Sequence, residues 1–234
     1  SKEESIRVII RMEKQPKLDL KRLPQEKVAK RREIIQTLKA TAESSQQPLL
    51  SELKRLKSGG SVESYQSFWI FNGAAATLSA DAIYSIAQIP SVASIDLDHE
   101  NELIKPVEEH SFEAGEAHPE TWGIEAIRAP EVWHALGITG TDVTVAIMDS
   151  GVDFRHPILT QNYRGLNPDG SFTHEGNWFH GAYSTQTVPY DLIGHGTHVA
   201  GTAVGGDGIG VAPGANWIAV AIATDDGLFY ASNI

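Results

Sequence analysis

Hydrophobic positions along the first hundred residues change period several times. SIRVIIRM, residues 5–12, is strand-like. From Glu26 to Thr41 apolar residues recur at helical spacing, and PLLSELKRLK resumes that spacing, with Pro48 suited to a first helical residue and Gly59-Gly60 to a stop. VESYQSFWIF is rich in aromatic and β-branched residues, Asn72-Gly73 is a turn signal, and AAATLS follows as a return strand. Ser79 can cap a helix over ADAIYSIAQI that Pro90 ends, leaving SVASIDLD as a last strand. The predicted order is β-α-β-β-α-β, with the first helix in one or two pieces. That is a ferredoxin-like arrangement, which names no function by itself.

The pattern then lapses. Glu100 to Thr121 is acidic, carries Pro106 and Pro119, and reads as a linker. Beyond it APEVWHAL predicts a short helix opened by Pro130, GITGTD a turn, and VTVAIMD and WIAVAIA two buried strands, because their apolar residues run nearly unbroken. Between those strands HGTHVAGTAVG has the small residues of a helix packed closely on a sheet. Strand, helix, strand in that order predicts a parallel α/β domain.

Charge divides the chain differently. Its 234 residues carry a net −11, but residues 1–60 hold 15 Lys+Arg against 8 Asp+Glu, so the remainder is strongly acidic. The basic run KVAKRREIIQTLK interleaves its charges with Val28, Ile35, Leu38 and Ala42, which reads as the solvated face of a helix and not as a nucleic-acid surface. A basic segment and an acidic one would attract each other over the roughly 8–10 Å that salt permits. Apolar residues are 41% of the chain, and no run approaches the roughly 18 that a membrane span needs. Cysteine is absent, which excludes thiol catalysis, thiolate metal sites and disulfides.

Two residues invite a chemical reading. Asp149 ends a predicted strand and is followed by Ser150-Gly151, placing its carboxylate at the sheet's carboxyl edge, where open α/β folds gather their sites; taken alone it is equally a turn cap. His195 lies between Gly194 and Gly196 at a helix start, suited to a general base or to packing under a loop. His198, one turn on, is expected to point into packing. A zinc site using His195 and His198 with Asp191 and His174 or His180 is the lesser alternative, since no HExxH glutamate follows. Asp149 and His195 together form two thirds of a nucleophilic triad in one of the recognised chain orders.

VTVAIMDSGVDFRHP and GHGTHVAGTAVG…GIGVAPGANWIAV resemble the aspartate and histidine blocks of subtilisin-like serine proteases, and SYQSFWIFNGAAATLS with PSVASIDLD resembles that family's inhibitory propeptide. TWGIEAIRAPEVW and YRGLNPDG…NWF are most similar to the bacillopeptidase F branch. The resemblance implies a propeptide over 1–104, a connector with the maturation region over 105–121, and the N-terminal part of a subtilisin-like α/β peptidase domain over 122–234. It makes Asp149 the triad aspartate, His195 the base, and Gly227, Leu228 and Phe229 an edge strand that pairs with extended peptide.

The family's Gly-Thr-Ser-Met-Ala nucleophile block and oxyanion-hole asparagine are not in these residues, so the chain by itself is expected to be inactive. Its expected partners are a polypeptide substrate, the remainder of its own protease domain and the propeptide as intramolecular inhibitor, with no nucleic acid or membrane span. No cofactor is needed for the chemistry. Ile158 stands where many relatives carry a calcium-binding aspartate, so calcium is expected only elsewhere in the complete protein. The resemblance further implies an extracellular, secreted zymogen whose signal peptide is absent from this chain. The competing reading is a non-catalytic truncated inhibitor or folding helper that binds a protease.

Overall fold

Alternation along β1 (Ile6–Met12) builds the first core: Val8, Ile10 and Met12 are buried, while the alternating residues Arg7, Ile9 and Arg11 lie on the other face. In this computed structural model the described residues are 5–103, 121–183 and 185–233, and the chain divides into two compact units, Ser1–His99 and Glu100–Ile234. The first unit continues through α1 (Lys27–Ser45), α2 (Gln47–Ser58), β2 (Val62–Phe68), β3 (Gly73–Leu78), α3 (Ala80–Ala87) and β4 (Val92–Leu97). Its strands form one antiparallel sheet in the order β2-β3-β1-β4, the ferredoxin-like topology.

Leu49, Leu53 and Leu56, spaced along one face of α2, cluster with Ile86 of α3 and the buried residues of β1 and β3. Each fully buried leucine contributes about 1.5–3 kcal/mol. The helical run does split in two. Pro48 lacks the N–H that would continue the ladder of α1, and α2 begins at Gln47. Glu26 caps α1 by accepting from the N–H groups of Val28 and Ala29 (2.8 and 2.6 Å), which lowers its pKa.

Two expectations change here. Of the apolar residues on α1 only Ala42 is buried, and Val28 is 60% exposed, so this helix is mostly solvated on both kinds of face. Asn72-Gly73 is also more than a hairpin turn: Gly73 already belongs to β3, and Asn72 is completely buried with φ +46°. Its amide donates to the Lys14 carbonyl and to Ser45 Oγ (2.8 Å) and accepts from Gln46 Nε2 (2.9 Å). The left-handed backbone that suits a turn here serves a buried polar link between the helix junction and the sheet.

The second unit comprises β5 (Glu100–Glu102), α4 (Trp122–Ala126), α5 (Ala129–Leu136), β6 (Thr144–Asp149), α6 (Pro157–Thr160), β7 (Trp178–His180), α7 (His195–Val204), β8 (Asn216–Ala221) and β9 (Leu228–Tyr230). A parallel sheet runs in the order β6-β8-β7, and its strands end level, with Asp149 and His180 both paired to Ala221. Trp217 is fully buried and donates from Nε1 to the Leu159 carbonyl at 2.8 Å. Around it Ala200 and Val204 of α7 cluster with Ile147 and Ala219 of the sheet.

The strand β6 is buried on one face only. Ile147 and Asp149 are covered, but Met148 is 48% exposed, because α7 packs on a single side among the described residues. The predicted linker also contains structure, since Glu100–Glu102 forms β5; residue 104 and residues 105–120 of the connector lie outside the described residues.

Candidate active site

Asp149 ends β6 and His195 begins α7, so strand and helix deliver a carboxylate and an imidazole to the same edge of the sheet. His195 Nδ1 donates to Asp149 Oδ1 at 2.6 Å, a charge-assisted length. The same oxygen accepts the Ser150 N–H at 2.7 Å. This pattern assigns the proton to Nδ1 and leaves the Nε2 lone pair free to take a proton, since Nε2 makes no hydrogen bond among the described residues. The His195 side chain is 31% exposed and that of Asp149 only 12%: the carboxylate is shielded while the ring can be approached.

Glycines make the approach feasible. Gly194, the N-cap of α7, has φ +83°, a left-handed turn open to glycine at no steric cost. At Gly196 a Cβ would stand 2.0 Å from the Gly151 carbonyl oxygen and 3.0 Å from Asp149 Cβ. Only a hydrogen at that position lets the helix start close onto the strand end.

Of the histidines weighed for a metal site, His174 and His180 are hydrogen-bonded elsewhere and His198 is not packed. His198 is exposed, contrary to the expectation that it points into packing, because the buried side of α7 is made by Gly196, Ala200, Gly201 and Val204. His174 Nδ1 pairs with Tyr163 Oη at 3.0 Å, and burial lowers its pKa; burial also raises that of Tyr163 to about 12. His180 accepts the N–H groups of Ala182 and Tyr183 at Nδ1, so its Nε2–H donates to Tyr190 Oη (2.9 Å), which donates to Asp225 (2.8 Å). Burial lowers the pKa of His180, opposed by Asp225; burial and Asp225 raise that of Tyr190.

Asp191, the third ligand of the zinc alternative, has both oxygens occupied by N–H and O–H donors. Among the described residues no three His, Asp or Glu side chains converge as a metal site. Ser150 is spoken for as well: its hydroxyl donates to Asp191 at 2.9 Å and accepts the Gly196 N–H at 2.8 Å.

Gly227, Leu228 and Phe229 lie on and just before β9, apart from the pair in sequence but within the same unit. β9 is paired antiparallel with β5, Leu228 opposite Glu102 and Phe229 opposite Asn101. The Gly227 carbonyl accepts the Leu103 N–H at 2.9 Å, and Tyr230 Oη donates to Glu100 at 2.7 Å. An extended segment therefore occupies this edge.

A shielded carboxylate hydrogen-bonded to an accessible imidazole at the carboxyl edge of a parallel sheet is the arrangement that a carboxylate-oriented general base requires. Residues 140–234 match the subtilase family, and residues 7–103 match the peptidase inhibitor I9 family. The chain is 38% identical over 210 residues to bacillopeptidase F of Bacillus subtilis (strain 168), covering 85% of this chain and 14% of that protein. It is 34% identical over 197 residues to subtilisin E of the same organism, covering 82% of this chain and 42% of the relative. The chain thus spans less than half the length of these relatives. A crystallised variant of the epidermin leader peptide processing serine protease from Staphylococcus aureus shares the fold, with TM-score 0.56 and 14% identity over 95% of this chain and 44% of that one.

Proposed function

We propose that this chain is the N-terminal portion of a secreted serine endopeptidase zymogen, in which Asp149 orients His195 and His195 removes the proton from a serine hydroxyl. The Nδ1–Oδ1 bond of 2.6 Å inside the subtilase segment is the observation that carries this reading. Asp149 holds the ring in the Nδ1–H tautomer and stabilises the imidazolium formed when Nε2 accepts the serine proton. The serine then attacks the peptide carbonyl, His195 returns the proton to the leaving amine, and water repeats the sequence on the acyl-serine.

Ser150 is bonded to Asp191 and is not that nucleophile. In this reading the serine comes from subtilase sequence outside these 234 residues, and the chain alone hydrolyses no peptide. No cofactor takes part in the chemistry; any calcium belongs to the complete protein.

The I9 segment acts as the intramolecular inhibitor. Its last matched residues form β5 against β9, main-chain pairing of the kind that holds an extended peptide. Gly227, Leu228 and Phe229 would hold the polypeptide substrate in the same way after maturation in the 105–121 connector. Labelling with a fluorophosphonate tests the reading: the complete protein should react and its His195→Ala variant should not, while the 234-residue chain stays unlabelled. Stoichiometric labelling of the 234-residue chain would sink it.

A further inference from the structure

Asp191 is absent from the roles proposed above, yet it is the most heavily bonded carboxylate beside them. Its Oδ1 accepts from Ser150 Oγ (2.9 Å) and from the N–H groups of Ile193 (3.1 Å) and Gly194 (2.9 Å). Its Oδ2 accepts from the N–H (2.8 Å) and hydroxyl (2.7 Å) of Thr197. Ser150 Oγ in turn accepts the Gly196 N–H at 2.8 Å, and Thr197 Oγ1 accepts the Asp153 N–H at 3.0 Å. The residues on both sides of His195, and the residue next to Asp149, are therefore tied to one carboxylate directly or through one hydroxyl.

We propose that Asp191 is a positioning residue, clamping the carboxyl end of β6 to the first turn of α7 and so fixing the distance at which His195 meets Asp149. This rests on the serine protease reading and adds to it a second acidic group, one that touches no reacting atom. Five donors converge and none of them needs a donor in return, a demand that an ionised carboxylate meets with two acceptor oxygens and no hydrogens. An asparagine would turn an NH₂ group toward donors on one side and lose that half of the clamp. The charge also suits its place just ahead of α7, because the helix has no acidic residue in its first turn and its N-terminus favours an anion.

The clamp differs from an ordinary helix cap in what its loss should disturb. A cap affects only the stability of α7, whereas a clamp also affects the short Nδ1–H···Oδ1 bond, whose proton resonates far downfield in NMR spectra of the 234-residue chain labelled with ¹⁵N-histidine. Asp149→Asn assigns that resonance by abolishing it. Asp191→Asn is expected to abolish it as well while near-UV circular dichroism stays native. Ser150→Ala, which removes the hydroxyl between Asp191 and Gly196 and leaves the helix cap intact, is expected to weaken it and decides the matter if Asp191→Asn does not fold. An unchanged resonance in folded Asp191→Asn or in Ser150→Ala, even with a lowered unfolding midpoint, overturns the proposal. Absence of the resonance from the wild-type chain instead contradicts the Asp149–His195 pair itself.

Discussion

Replacing Gly196 with alanine tests how the site is assembled. The new Cβ would stand 2.0 Å from the Gly151 carbonyl oxygen, and ordinary contact begins near 3.4 Å, so strand end and helix start must part by about 1.4 Å. The obstacle is backbone and cannot swing aside. A shift of that size would carry the 2.6 Å bond between His195 and Asp149 beyond hydrogen-bonding range. Alanine in place of a helical glycine returns up to about 1 kcal/mol of propensity. Overpacking of this kind costs about 1–3 kcal/mol, and loss of the charge-assisted bond adds to it, so destabilisation wins. Thermal unfolding of the second unit followed by near-UV circular dichroism should show a midpoint lower by several degrees, at about 4 °C per kcal/mol. An alanine variant melting within about 1 °C of the wild type, with the downfield His195 proton intact, would refute the close-approach argument.

Two other perturbations address the scaffold. Because burial holds the folded pKa of His180 below 6.5, the unfolded chain binds more protons beneath that pH, and the second unit should lose stability as pH falls from about 6.5 toward the folded value; His180→Gln should flatten this dependence in urea unfolding between pH 5 and 7, and an unaltered slope would exclude His180 as its source. Asn72→Ala strands the partners of its buried amide and keeps a left-handed backbone without the side chain that favours it, so the first unit should lose at least about 2 kcal/mol by urea unfolding; a change under about 0.5 kcal/mol would show the network to be dispensable.

Strongly periodic segments could be read directly from the chain. β1, α2 and α3 carry their burial pattern in local spacing, and the break near Pro48 follows from one missing N–H. Asp149 and His195 were legible because a strand end and a glycine-flanked helix start each mark a position where a side chain is presented.

What was not legible depends on distant partners. β7 is three residues long, too short for a period, and becomes a strand because β8 lies beside it. β5 looks like acidic linker until β9, about 130 positions onward, supplies its hydrogen bonds. VTVAIMD reads as fully buried, but exposure of Met148 reflects which face α7 covers. Asp191 is hidden differently: four of its five donors come from the three residues Ile193, Gly194 and Thr197 just after it, a local turn whose significance emerges only when Ser150 arrives from β6.

The central claim is that the carboxylate of Asp149 makes His195 a base. It is tested most directly by the kcat of the complete, matured protein carrying Asp149→Asn, which keeps the shape of the side chain but holds the ring in the wrong tautomer. The account predicts a fall of about 10⁴-fold. Activity within about tenfold of the wild type would contradict it.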